Sequence, residues 1–287
     1  MSRPISRASS PRWAEAIFAG QGAAPRRHCS SMTLCDTDIE TFVRDGFVVL
    51  RGAVDRATID ECRAELWDAI PESPDDPTTW TEPVRWVDSP MTPVFARAAA
   101  SSALVAAYDA LIGPGRWVQR VELGTVPVRF PAGRESHDTG WHIDASYPAP
   151  DGSEYRVSVS SRDRGLLALF LVSDVDEHDA PTRIRVGSHA DVPRFLEPYG
   201  DDGVDMFTVC AKMDRAGVLG SPDRTEVLAT GAAGDVFLCH PFLVHAAQVN
   251  HRGRPRFMSQ PGIMLRDQFD LAHPRSPVET AIVDALR

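Results

Sequence analysis

The sequence predicts an α+β fold with helices collected at the N-terminal end and short strands forming a sandwich or barrel. Apolar residues recur at helical spacing between residues 36 and 112, and beyond residue 117 the texture changes to short β-branched and apolar runs separated by Gly, Pro, Asp and Asn. No internal repeat is evident in the chain. With 287 residues, 43% of them hydrophobic, it is long enough to bury a core as one domain, expected over residues 35–287.

Residues 1–34 stand apart, with Arg3, Arg7, Arg12, Arg26 and Arg27 against one acid, Glu15, among many Ser, Ala and Gly. Such a leader reads as an organelle transit peptide or as a disordered extension ahead of a start at Met32. We adopt the extension, because apolar periodicity begins only after Met32. Thr37 and Glu40 then have capping-box spacing ahead of Ile39, Phe42 and Val43, with Gly46 placed to end the helix. Phe47-Val48-Val49-Leu50 reads as a strand stopped by Gly52. Ile59, Cys62, Leu66 and Ile70 predict a helix over 56–70, capped by Asp55 and ended by Pro71, Pro74 and Pro77. An Ala-rich run predicts a third, continuous helix over 94–112, stopped by Gly113-Pro114. Strands are expected around 117–129, 141–147, 155–160, 166–175, 182–186, 226–229, 235–239, 242–249 and 255–264. The irregular stretches 130–140 and 190–225 are expected as lids over a site.

Charge excludes several function classes. Lys and Arg total 30, Lys212 is the single lysine, and the other 29 are arginines. A Schiff-base enzyme or a phosphate-cradling Walker loop needs a lysine in a specific setting, whereas Lys212 sits in Val-Cys-Ala-Lys-Met-Asp with no glycine run before it. A coding bias accounts for the arginine surplus, so each arginine is judged singly. The net charge of −10 offers no attraction for nucleic acid or an anionic membrane, and nothing approaches the ~18 consecutive apolar residues of a membrane span. Cys29, Cys35, Cys62, Cys210 and Cys239 form no Cys-x-x-Cys pair, so neither a disulfide framework nor a thiolate zinc site is signalled, which fits a reducing cytoplasm.

The chemistry concentrates in Gly140-Trp141-His142-Ile143-Asp144. In a strand-like run the imidazole and the carboxylate project from one face while Ile143 points the other way. A metal that must also bind a co-substrate and oxygen wants one more protein ligand, and two histidines with one carboxylate form the non-haem Fe(II) arrangement. Among nine histidines, His240 and His245 are best placed to complete it. Five residues apart with Pro241 between them, they cannot share one strand face, so one must be chosen. Asn250-His251-Arg252-Gly253 reads as a hairpin turn with Arg254 to Met258 returning. Centred between Asn250 and His251, the turn makes His245 and Arg256 cross-strand neighbours; a bulge at Gly253 would bring Arg254 there instead. A guanidinium beside a metal ligand suits a dicarboxylate held by the metal at its keto-acid end and by arginine at its far end, which points to 2-oxoglutarate. Arg120 and Arg129 are the further arginines near the first ligand run.

In this order and at these distances the residues resemble the phytanoyl-CoA dioxygenase-like Fe(II)/2-oxoglutarate oxygenases. The resemblance runs from Phe42 through Gly52, through Trp141-His142-Ile143-Asp144 and Thr182 to His189, to Gly234-Asp235, His245 and Arg256, covering almost everything after residue 36. It implies a double-stranded β-helix (jelly-roll, cupin-like) core with N-terminal flanking helices. His142, Asp144 and His245 are implied as catalytic iron ligands, Arg256 as the 2-oxoglutarate clamp, and Fe(II), 2-oxoglutarate and O2 as cofactor and co-substrates. The implied reaction hydroxylates an unactivated C–H bond of a small-molecule metabolite or acyl substrate, releasing succinate and CO2; desaturation and ring formation draw on the same chemistry. Two positions bear on that transfer. Ala247 stands where family members often carry a Ser or Thr that helps hold the co-substrate, and Asp144 stands where related halogenases carry a small residue, favouring oxygen transfer.

A catalytically silent cupin-like metabolite-binding protein is the alternative, and the intact His142, Asp144, His245 and Arg256 argue against it. A metal hydrolase on the same ligands would lack a visible general base and leave Arg256 without a role. His189 reads as a turn residue, His137 as a solvated loop histidine and Trp141 as core packing, while Lys212 is assigned nothing.

Overall fold

The computed structural model describes residues 34–131, 134–144, 147–251 and 253–287; the extension expected over 1–34 lies outside them except for Leu34. In chain order the first elements are α1 (Asp36–Asp45), β1 (Phe47–Leu50), α2 (Arg56–Asp68), β2 (Val84–Asp88), α3 (Pro93–Ala99), α4 (Ser102–Leu111) and β3 (Thr125–Arg129). There follow β4 (Tyr147–Pro148), β5 (Tyr155–Val157), β6 (Arg164–Leu171), β7 (Arg183–Arg185), α5 (Pro193–Leu196), β8 (Val204–Asp205) and α6 (Met206–Arg215). The chain ends with β9 (Glu226–Leu228), β10 (Val236–Cys239), β11 (His245–Ala246), β12 (Met258–Ser259), β13 (Gly262–Met264) and α7 (Pro277–Leu286). The class is α+β, with antiparallel strand pairing throughout the described residues.

Helix ends show where local signals hold. α2 runs as expected behind Asp55, whose carboxylate accepts from the Thr58 N–H at 2.9 Å, and Gly46 ends α1 at φ 83°, where a Cβ is disfavoured. The box at the start of α1 is not Thr37 and Glu40: Cys35 is the cap, its N–H and thiol both donating to Asp38. The continuous helix expected over 94–112 is two helices bent by 43°, because the Ser101 side chain accepts from the Leu104 N–H and starts α4 afresh. Residues 190–225 are not an irregular lid; they fold into α5, α6 and short 3-10 turns whose Val192, Leu196, Val209 and Met213 enter the core. β2 and α7 have no counterpart in the sequence expectations, although Ser276, Pro277 and Glu279 form a clear helix start in the structure.

Two sheets carry the site. The larger has the order β1-β10-β6-β12 with β13 also on β6, and the second has the order β11-β7-β9. β6 is buried along nearly its whole length. Leu166, Ala168 and Phe170 join the core that includes helix residues such as Phe42, Ile59 and Leu66, while Leu167, Leu169 and Leu171 join Ile184, Phe237 and Met258 in a second apolar cluster. From β10 through β11 to β12 the chain passes from the larger sheet to the second and back, and this overturns the expected hairpin. β11 pairs with β7, so His245 lies opposite Ile184 and is also bridged to His142; β12 pairs with β6, and Arg256 is bridged to Arg129. The crossing is tied by the buried Asn250, whose amide donates to the carbonyls of Arg129 and Arg254 at 2.9 Å each. His245 and Arg256 are therefore not cross-strand neighbours; each meets a different residue of the single segment 129–142.

Candidate metal and co-substrate site

Residues 140–144 are not a regular strand, and only His142 is paired. His142 and His245 exchange both backbone hydrogen bonds, at 3.0 Å each, which turns the two imidazoles to the same side with ring centroids 4.4 Å apart. Each ring is held in the same way: Nδ1–H of His142 donates to the Gly140 carbonyl at 2.8 Å and Nδ1–H of His245 to the Leu243 carbonyl at 2.9 Å. The shared tautomer, assigned from these bonds, leaves both Nε2 lone pairs for another partner. Asp144 joins them with Oδ1 at 3.8 Å from His245 Nε2, and one ligand atom from each of the three residues lies within 4.8 Å of the others. Ile143 is fully buried in the apolar core.

Charge states match a divalent cation. Burial opposes ionisation of Asp144, yet Arg164 and the two imidazoles more than offset it and hold the carboxyl below its ordinary range. Burial, then the adjacent His142, lowers His245 to about 4. At neutral pH the pocket offers one carboxylate and neutral imidazole nitrogen, and the buried His245 Nε2 has no hydrogen-bond partner. An orphaned, correctly protonated ligand atom facing a carboxylate fits a bound metal.

His240 is the histidine that drops out. It is buried, its Nδ1 accepts from the Phe242 N–H at 3.1 Å, and its ring lies 4.9 Å from His189. His189 donates from Nε2 to the Val43 carbonyl at 3.0 Å and serves the packing.

Among the arginines the contrast is sharper. Arg254 is half-exposed and bonded to Asp179, whereas Arg256 is 1% exposed and none of Nε, Nη1 and Nη2 has a partner. Burial first, and then the neighbouring Arg129, push its pKa well below the ordinary guanidinium range. Leaving such a group unpaired costs several kcal/mol, on the order expected for an uncompensated buried ion. Arg129 is also buried, bonded to Ser136 at 3.0 Å and paired with Asp138. Arg120 is occupied by Glu122 and the Gly262 carbonyl. Ala247 is half-buried and His137 is exposed. Trp141 is half-buried and packs against the core, with its ring 4.4 Å from both the Arg183 and Arg185 guanidiniums. Lys212 is on α6 against Tyr199. The residue sequence reasoning missed is Arg164, whose Nη1 donates to Asp144 Oδ2 at 2.5 Å; an arginine ahead of an apolar run carries no signal of its own.

The phytanoyl-CoA dioxygenase (PhyH) family matches residues 42–258, a span that contains the three-residue cluster and both buried arginines. The chain belongs to this family. Its fold is shared with known structures. The non-heme alpha ketoglutarate dependent carbocyclase SnoK from nogalamycin biosynthesis superposes with a TM-score of 0.55 at 17% identity, covering 82% of this chain and 86% of that one. HygX from Streptomyces hygroscopicus, with nickel, 2-oxoglutarate and hygromycin B bound, gives 0.53 at 18% identity, covering 83% and 90%. The epimerase SnoN, in complex with Fe3+, alpha ketoglutarate and nogalamycin RO, gives 0.51 at 20% identity, covering 79% and 82%. No curated protein matches the sequence. As a PhyH member the chain is of the iron- and 2-oxoglutarate-dependent type, which uses O2.

Proposed function

We propose that the chain is an Fe(II)- and 2-oxoglutarate-dependent dioxygenase that hydroxylates an unactivated C–H bond of a small-molecule or acyl substrate. The observation that carries this reading is Arg256, a buried guanidinium none of whose nitrogens has a hydrogen-bond partner, on one of the two chain stretches that bring His142 and His245 together. Such a cation fits an anionic ligand that enters the interior, and the far carboxylate of 2-oxoglutarate has the required charge and planar geometry. Iron(II) held by His142, Asp144 and His245 supplies, with 2-oxoglutarate and O2, the oxidising power to break a C–H bond, with succinate and CO2 as co-products.

The chain's own residues orient and exclude. The Gly140 and Leu243 carbonyls fix the two imidazoles, so the nitrogens facing the metal are set before it binds. Arg256, with Arg129 beside it, takes the carboxylate, and the missing hydroxyl at Ala247 leaves that role to the two guanidiniums. The apolar cluster of Leu167, Leu169, Ile184 and Phe237 keeps water from the inner face of the sheets.

We read the two antiparallel sheets as a double-stranded β-helix core. Antiparallel bridges join Arg129 to Arg256 and His142 to His245. β6 pairs antiparallel with β12 and β7 with β11, Leu171 opposite Met258 and Ile184 opposite His245. We take residues 35–287 as a single oxygenase domain. No single helix among the described residues is long and apolar enough to cross a membrane, the four described cysteines are free, and we propose a cytoplasmic location.

Anaerobic titration with Fe(II) and 2-oxoglutarate is expected to give a weak visible charge-transfer band that His142→Ala abolishes. A wild-type protein without the band would sink the oxygenase reading in favour of a silent binding protein. Product analysis after succinate release with a metabolite library separates hydroxylation from the cyclisation and epimerisation named for SnoK and SnoN.

A further inference from the structure

The two oxygens of Asp144 have different neighbours. Oδ1 lies 3.8 Å from His245 Nε2, whereas Oδ2 accepts a 2.5 Å charge-assisted hydrogen bond from Arg164 Nη1. Both side chains are largely buried, at 17% and 26% exposure, so the pair is only partly screened. Arg164 is delivered by an unusual piece of backbone. Ser161 and Asp163 take up φ of 47° and 67°, in the region that disfavours residues with a Cβ. The turn is closed by Arg164 N–H donating to the Ser161 carbonyl at 3.1 Å and the Ser161 hydroxyl donating to the Arg164 carbonyl at 2.8 Å. On the adjoining strand, Gly262 leaves the slot for the guanidinium: a Cβ there would lie 3.1 Å from Arg164 Nε and 3.4 Å from Cζ. Strained turn, glycine slot and ion pair converge on one oxygen atom.

We propose that Arg164 is a positioning residue that makes Asp144 a one-oxygen ligand. With Oδ2 occupied, only Oδ1 is turned toward His245, and the carboxylate does not rotate to chelate through both oxygens. The consequence is a free coordination position. A six-coordinate metal with three one-atom protein ligands keeps three positions for a two-atom co-substrate and oxygen, and a chelating carboxylate would remove one of them. The inference rests on the metal site proposed above.

Cobalt(II) chloride titration of the metal-free full-length protein, followed by its visible ligand-field absorption, tests it. Arg164→Gln is expected to weaken cobalt(II) binding by roughly 10-fold or more, as loss of a second partner of a ligand does, and to change the band pattern. Arg164→Lys restores part of the affinity. Gly262→Ala, which keeps the arginine but pushes its head aside, shifts affinity and spectrum in the same direction by less, and it answers the question should Arg164→Gln not fold. Cobalt(II) bound by Arg164→Gln as tightly as by wild type, or more tightly, with an unchanged spectrum overturns the proposal, because the cation would then only repel the metal. His142→Ala separates the two levels. If it binds cobalt(II) like wild type, the metal site itself is wrong and the proposal falls with it; if it loses cobalt(II) while Arg164→Gln does not, only the role of Arg164 is wrong.

Discussion

Arg116 and Arg256 both carry their charge into the interior, and their surroundings are opposite. Arg116 grips the fully buried Glu279 with both ends of its fork, at 2.6 and 3.0 Å, and donates again to the Ile112 carbonyl. Glu279 accepts further from the N–H groups of Asp270 and Arg275 and from the Ser276 hydroxyl. Burial alone would raise its pKa, but these donors, Arg116 foremost, bring it down to about 2. Arg256, 1% exposed against 18% for the Arg116 side chain, is the more enclosed and has no such cage. A saturated buried pair serves the fold, here by joining the end of α4 to α7; an unsaturated buried charge weakens the fold and is intelligible through what binds to it.

That difference can be broken in four ways. Arg116→Leu leaves Glu279 buried beneath its remaining donors and should cost about 3–5 kcal/mol in urea unfolding, with the 2-oxoglutarate affinity of the folded protein unchanged. Arg256→Leu should do the reverse: binding weakened roughly 100-fold, or about 3 kcal/mol, with a melting temperature equal to or above wild type. Calorimetric titration and thermal melts read the two quantities separately, and a variant that lost stability but kept 2-oxoglutarate would make Arg256 structural.

Acid sharpens the comparison. A carboxyl depressed from 4.5 to about 2 stabilises the fold fully above the unfolded-state value and loses that stabilisation as pH falls from 4.5 toward 2. Wild type should therefore lose about 3 kcal/mol more than Glu279→Gln across that interval, and parallel pH profiles for the two would contradict the cage. A smaller effect is expected at Arg254, whose guanidinium is half-exposed while its partner Asp179 is buried and also accepts from the Asp176 N–H at 2.9 Å. Arg254→Ala should cost about 1–3 kcal/mol in urea unfolding and leave 2-oxoglutarate binding unchanged, and a co-substrate defect there would transfer the clamp from Arg256 to its neighbour.

What the sequence made legible follows from range. That His142, Asp144 and His245 lie together is legible only in part, because His-x-Asp is a local pattern whereas His245, far along the chain, is named through the resemblance; Asp55 and Gly46 are legible because caps act within one turn. The partner of Arg256 was not readable. A turn-like Asn250-His251-Arg252-Gly253 suggests that flanking strands pair, but the chain uses that stretch to cross between sheets, and only the Asn250 side chain records it. Ser101 broke a helix whose apolar pattern ran through it, since a local hydrogen bond competes with helix continuation while leaving hydropathy unaltered. Arg164 reaches Asp144 across twenty residues and a strained turn, and no local pattern encodes such a contact.

β6 has a consequence for the synthesis of the chain. Its apolar run from Leu166 to Val172 contains no charge and no proline, and its partners are β10, β12 and β13, beginning at Val236 and ending at Met264. A nascent chain that has released β6 must hold it unpaired while the following segments are translated, a state open to association with other chains. Arg164 before the run and Asp174 after it are the charges that flank it, as gatekeepers do. The strand enclosed on both faces in the finished protein is thus a segment in need of protection at birth, and yield in expression should depend on how quickly residues 236–264 arrive to cover it.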